Sequence, residues 1–133
     1  MLRQFVSRFA PRKLCLIADS SLAIRKAASS ILSDLRFRVA EAESCQEAFM
    51  KCRQRAPDAV LLDSGMAKSE GFEILRAIAD WTPGRRPKII FCTAERDASQ
   101  IARAIEAGAH EYMVKPFDRA ILTAKFERLG LTG

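Results

Sequence analysis

The sequence predicts an α/β fold: a doubly wound, five-stranded parallel sheet with helices on both faces. Two observations carry this expectation. Short apolar runs alternate along the chain with longer segments whose apolar residues recur at helical spacing. Four of the runs also end in a polar residue suited to phosphate chemistry. Leu14–Ala18 runs into Asp19, 59–62 into Asp63, 88–92 into Thr93, and 112–114 into Lys115 and Pro116. A continuous apolar run bounded by turn signals suits a strand covered on both faces. Ligands of open α/β sheets bind just outside the carboxyl ends of the strands. Two carboxylates, a hydroxyl and an amine are therefore expected at one edge.

The elements follow in order. The first strand covers about 13–18 and the first helix about 21–35, with Ile24, Ala28, Ile31 and Leu35 on one face. A short second strand lies near 38–41. The second helix opens at Ser44, with Glu47 three residues on as a capping-box partner, and continues to about Arg55. Pro57 precedes the third strand, 58–63, and the third helix covers about 72–80. Proline and glycine make 81–87 a loop. The fourth strand is 88–93. The fourth helix starts near Asp97, with Gln100 as its capping-box partner, and stops at Gly108. The fifth strand is 111–114. The fifth helix starts near Asp118 and turns Leu122, Phe126 and Leu129 inward. Crossovers are expected to be right-handed. The flavodoxin-like strand order 2-1-3-4-5 puts Asp19 and Asp63 on adjacent strand ends, flanking the switch-point crevice.

Composition sets limits on function. The chain has 133 residues, enough for one domain with a real core. It is 49% hydrophobic and 29% charged, and no apolar stretch approaches the roughly 20 residues of a membrane span. Pro11, Arg12 and Lys13 interrupt any signal-peptide apolar region, so a cytoplasmic location is expected. Cys15, Cys45, Cys52 and Cys92 form no Cys-x-x-Cys pair and read as reduced, core or near-core residues. The net charge is +6, but the arginines, Arg25 among them, are scattered without a nucleic-acid-binding signature, so they read as a solvated surface. His110, the only histidine, reads as a surface residue.

Residues 1–12 form an N-terminal extension ahead of the domain at 13–133. Leu2, Phe5, Val6 and Phe9 fit i, i+3, i+4, i+7 of a short amphipathic helix ended by Pro11. The alternatives are a frayed tail, docking on the same domain or on a second copy, or contact with a membrane or protein partner.

Two carboxylates on neighbouring strand ends repel unless a cation or proton lies between them. Hard oxygen ligands suit Mg²⁺, which typically takes one or two carboxylates plus phosphate oxygens. Asp63 could also act as a nucleophile, since carboxylates form acyl-phosphates. The Lys115 ammonium and the Thr93 hydroxyl could then meet phosphoryl oxygens. Ala94 is small enough to leave the approach open.

At this point the chain resembles the receiver domains of two-component response regulators, of the stand-alone, chemotaxis-regulator kind. The resemblance rests on Asp19, the Val60-Leu61-Leu62-Asp63 strand, Gly71-Phe72-Glu73, Thr93-Ala94, Gly108-Ala109 and Tyr112-Met113-Val114-Lys115-Pro116-Phe117. The spacings also fit, and the match covers about 13–129. The resemblance implies a phosphoprotein of a phosphorelay rather than an enzyme, one that promotes its own Mg²⁺-dependent phosphorylation and dephosphorylation. Asp63 would be the phosphoacceptor. Asp19, Asp63 and the Gly65 backbone carbonyl would hold Mg²⁺. Thr93, Ala94 and Lys115 would form the phosphoryl surroundings, Tyr112 would be the aromatic switch, and Pro116 would follow a cis peptide bond. Glu95 lies where the family tunes dephosphorylation. A histidine kinase or histidine phosphotransfer protein would donate the phosphate, and signal transduction would pass to a downstream protein target or through phosphate relay. No nucleic-acid partner is expected. A dimer would form through the N-terminal segment or the face made by the fourth helix, fifth strand and fifth helix.

The chain departs from the family at Ala18, where receivers usually carry a second acidic residue. The loss is expected to weaken Mg²⁺ binding. It supports an alternative reading as a phosphorylation-independent pseudo-receiver interaction module. The segment Ser64–Lys68 lacks the family's usual proline and brings in Gly65, which predicts a more flexible loop with positive charge from Lys68. A nucleotide-messenger binder lacks an arginine-rich tail, and a flavodoxin lacks a phosphate-cradling loop after the first strand.

Overall fold

The computed structural model describes residues 12–69, 72–81 and 86–132. The N-terminal helix expected at 2–9, Gly71 and most of the loop expected at 81–87 lie outside them. Five strands, β1 Leu14–Ala18, β2 Arg38–Ala42, β3 Ala59–Asp63, β4 Lys88–Thr93 and β5 Glu111–Val114, form one sheet in the order β2-β1-β3-β4-β5. Every pairing is parallel. Among the described residues the helices are α1 Leu22–Asp34, α2 Cys45–Gln54, α3 Ser64–Lys68, α4 Glu73–Trp81, α5 Ala98–Ala107 and α6 Arg119–Arg128. This is the doubly wound α/β architecture and strand order expected from the sequence.

Alternation along the strands splits the core into two layers. Leu16, Val60, Leu62, Ile89 and Phe91 face α2, α4 and α5, where Cys52, Leu75, Ile78 and Ala104 meet them. Cys15, Ile17, Leu61, Ile90, Cys92 and Met113 face α1 and α6, against Ala28, Leu32, Leu122 and Phe126. Phe37 meets Phe126 edge-on, with ring centroids 5.2 Å apart.

Side-chain caps set the helix starts by satisfying otherwise unpaired amide groups. Ser21 Oγ accepts from Ile24 N at 3.3 Å, Ser44 Oγ from Glu47 N at 3.1 Å, and Asp118 Oδ1 from Ile121 N at 2.9 Å. Asp97 Oδ1 accepts from Ser99 N and Gln100 N. Gln100 does not complete the expected capping box, since its buried Oε1 has no partner among the described residues. Gly108 closes α5 at φ +126°, and a Cβ there would lie 2.7 Å from Ala79 Cβ.

Three further expectations change. Ser64–Lys68 is a short helix rather than a flexible loop: Asp63 caps it, with Oδ2 accepting from Met66 N at 3.2 Å. The buried stripe of α1 is Arg25, Ala28 and Leu32, while Ile24, Ile31 and Leu35 are half-buried. Arg25 is therefore not part of a solvated basic surface. Its Nη1 donates to the Asp19 carbonyl at 2.8 Å and its Nε to Glu41 Oε1 at 3.0 Å. His110 is exposed, but its Nδ1 accepts a hydrogen bond from Ile89 N at 3.1 Å.

Candidate functional site

The carboxyl ends of β1 and β3 lie side by side, with Ala18 in register with Leu62, so Asp19 and Asp63 leave adjacent strands at one edge. β4 places Cys92 beside Asp63 and Thr93 beside Val114 of β5. The Lys115 amide donates to the Thr93 carbonyl at 2.7 Å, fixing the β5 exit against β4. Crossover topology thus gathers residues far apart in the chain.

Lys115 holds the centre. Its Nζ lies 2.6 Å from Asp19 Oδ2 and 2.5 Å from Asp63 Oδ1. All three side chains are largely shielded, at 14%, 6% and 16% exposure for Lys115, Asp19 and Asp63. Burial pulls the Lys115 pKa down, but the hydrogen bonds and charges of Asp19 and Asp63 outweigh it and hold the ammonium above the ordinary lysine value. The free carboxylate oxygens are also placed: Asp19 Oδ1 accepts from Ser21 N at 2.8 Å, and Asp63 Oδ2 from Met66 N. Beneath them Ile17, Leu61, Cys92 and Phe117 line a cavity of about 10 Å³, room for at most one water. The floor is almost wholly apolar, which strengthens the electrostatics above it. Burial pushes the Cys92 thiol up to about 12, against the opposing pull of Lys115.

The other residues singled out in the sequence stand around this centre. Thr93 is buried, and its hydroxyl donates to the Glu95 carbonyl and accepts from the Glu95 amide, both at 3.2 Å. Ala94 and Glu95 are exposed at the rim. Gly65 lies against the site: a Cβ there would sit 3.1 Å from Asp63 Oδ2. The Lys115–Pro116 peptide is cis. Tyr112 is half-buried against the α2/α4/α5 layer, with Lys125 Nζ 4.5 Å from its ring centroid. Lys125 and Arg128 also hold the buried Glu111, at 3.2 and 2.9 Å.

Ala18 is fully buried, and no group of three or more His, Cys, Asp or Glu side chains suited to a metal occurs among the described residues. The donor set is two carboxylates drawn to one cation. Such a set fits a hard divalent ion that keeps most of its waters. It does not fit a closed structural site.

Sequence reasoning missed the cluster behind Asp19. Besides Arg25, Glu41 Oε2 takes Lys26 at 2.8 Å, and its backbone carbonyl accepts from Lys51. The hydrogen bond from Lys26, with help from Arg25, holds the Glu41 carboxyl below the usual range. Arg25, Ala28 and Leu32 do share a helical stripe in the sequence, but the charge of Arg25 conceals its place in it.

Comparison with known proteins adds four findings. The family model described as the response regulator receiver domain matches residues 15–127. The chain is 37% identical over 103 residues to the chemotaxis protein CheY of Listeria monocytogenes, covering 77% of this chain and 85% of that protein. It is 33% identical over 110 residues to the KDP operon transcriptional regulatory protein KdpE of Escherichia coli, covering 83% of this chain but 48%, about half, of that relative's length. Among solved structures, the receiver domain of the sensor histidine kinase PA1611 of Pseudomonas aeruginosa, with a magnesium ion coordinated in its active-site cleft, matches at a TM-score of 0.77. That match has 25% identity and covers 89% of this chain and 97% of that one.

Proposed function

The chain belongs to the response regulator receiver domain family, and on that footing we propose that it accepts a phosphoryl group on Asp63 and signals through protein–protein contact or onward relay. The observation that carries this reading is the convergence of Asp19 and Asp63 on one ammonium, at 2.6 and 2.5 Å, over an apolar floor. A bridged pair of this kind is set to exchange its cation for a phosphoryl group and a metal ion. The donor would be a phosphohistidine of a kinase or phosphotransfer protein. An Asp63 carboxylate oxygen forms a bond to phosphorus as the bond from phosphorus to the histidine nitrogen breaks, and the nitrogen keeps the electron pair.

Asp19, Asp63 and the Gly65 carbonyl would hold Mg²⁺, which supplies neutralising charge for the phosphoryl oxygens when bound. The missing carboxylate at Ala18 predicts weaker metal binding than in receivers with a full acidic pair. Lys115 would follow the negative charge from the carboxylates to the phosphoryl group. The Thr93 hydroxyl would leave Glu95 to donate to a phosphoryl oxygen. Through the bond between the Thr93 carbonyl and the Lys115 amide, these shifts are coupled to β5 and hence to Tyr112. Phosphorylation adds roughly two negative charges near neutral pH, and they bias an existing equilibrium between two packings of α5, β5 and α6.

Beryllofluoride titration followed by backbone NMR tests this. Mg²⁺-dependent shifts at Thr93, Lys115 and Tyr112 are expected, and Asp63→Asn should abolish them. Shifts that persist in Asp63→Asn, or none at any Mg²⁺ concentration, would leave the pseudo-receiver reading, which Ala18 favours.

A further inference from the structure

The amino edge of the sheet, opposite Asp63, carries an unbalanced charge. Parallel strands bring all their entries to that edge. The hydrogen bonds from Arg38 N to Lys13 O, from Asp58 N to Leu14 O and from Lys88 N to Asp58 O tie them in one row. At the corner formed by β1, β2 and the end of α2 stand Arg12, Lys13, Arg36, Arg38 and Arg55. Four are exposed and Arg38 is half-buried. None of the five forms an ion pair among the described residues. By contrast Arg25, Lys26, Lys51, Lys115, Arg119 and Lys125 all meet carboxylates. Of the acids near this corner, Asp34 pairs with Arg119, and Asp58, whose Oδ2 accepts from Leu14 N at 2.8 Å, leaves the five cations well in excess. Asp80, Glu106 and Glu127 lie toward the ends of α4, α5 and α6, on the side of β3, β4 and β5.

We propose that this corner docks on an anionic lipid bilayer. A cation excess fits any polyanion. What favours lipid is the chain that enters β1 at the same corner. In sequence, Leu2, Phe5, Val6 and Phe9 share one helical face, with Arg3 and Arg8 among the residues between them. A basic amphipathic segment buries its apolar face at the headgroup boundary. A nucleic acid offers no place for such a face. The geometry also suits signalling: a bilayer at the amino edge leaves Asp63, at the carboxyl edge, open to a phosphodonor.

The test is flotation of the full chain with vesicles of phosphatidylcholine alone or with added phosphatidylserine. Binding is expected only with phosphatidylserine and is lost in high salt. Each basic residue near an anionic surface is worth roughly fivefold in affinity. The double variant Arg38→Gln/Arg55→Gln should therefore bind roughly 25-fold more weakly. Lys68→Gln/Arg96→Gln, a charge-matched pair toward the carboxyl edge, should bind within about twofold of the unaltered chain. Binding to neither vesicle, equal binding to both, or equal loss in the two double variants would overturn the proposal. So would tighter binding to a short RNA duplex than to the anionic vesicles at the same salt.

Discussion

Replacing Lys115 with methionine removes the cation between Asp19 and Asp63 while keeping most of the apolar stem. In the unaltered protein the Lys115 Nζ lies 2.6 and 2.5 Å from one oxygen of each carboxylate, so those oxygens are within about 5 Å of each other. Two unit charges at that separation repel by about 3 kcal/mol at the effective dielectric of about 20 that suits such sites. Screening by water is limited, because Asp19 and Asp63 are only 6% and 16% exposed. That repulsion is offset by the ammonium in the unaltered chain, so urea unfolding of Lys115→Met near neutral pH, without divalent ions, should show a loss of about 3–5 kcal/mol, the usual cost of leaving shielded charges without their partner. Adding Asp63→Asn should recover most of it, since one of the two like charges is gone. Millimolar Mg²⁺ should stabilise Lys115→Met more than the unaltered chain, in which the ammonium must first be displaced. A loss below about 0.5 kcal/mol, or no recovery with Asp63→Asn, would refute the reasoning that the two carboxylates converge on one cation.

Other outcomes follow from the same structure. Gly108→Ala should cost about 2–3 kcal/mol in urea unfolding, because φ is +126° and the new Cβ meets Ala79 at 2.7 Å; adding Ala79→Gly should recover the clash but not the backbone strain. Under native conditions a thiol reagent should modify Cys45 first, since Cys15, Cys52 and Cys92 are buried and burial raises the last two to about 11 and 12; rapid native modification of Cys92 would contradict the packing beneath the site. Partial burial, with the nearby Lys88 charge, holds His110 below the usual 6.5. The unfolded chain then binds the proton at higher pH than the folded one, so the stability from neutral His110 is full above 6.5 and lost as pH falls through the lowered folded value. An NMR titration of the imidazole, paired with urea midpoints, checks both the direction and the loss.

Much of the fold was legible because its signals were local. Strand runs such as Leu14–Ala18 and Ala59–Asp63 are continuous apolar stretches between turn residues, and Ser44, Asp97 and Asp118 mark helix starts by their side-chain chemistry. What was not legible depended on tertiary company. Arg25 looks solvated in one dimension; only the fold brings the Asp19 carbonyl and Glu41 to its guanidinium. The helical turn of Ser64–Lys68 follows from Asp63 acting as a cap, a role hidden behind its place at a strand end. At the site, strand order alone put Asp19 beside Asp63. The bridging position of Lys115 and the engagement of Thr93 with Glu95 are matters of side-chain geometry that no spacing encodes.

The central claim is that Asp63 accepts phosphate. It is tested most directly by incubating the full chain with a small phosphodonor and Mg²⁺, trapping the acyl-phosphate with borohydride and mapping the modified residue by peptide mass. One phosphoryl group at Asp63, dependent on Mg²⁺ and absent in Asp63→Asn, is the result predicted. Modification at another carboxylate, or none under conditions that label a receiver with the full acidic pair, would contradict it.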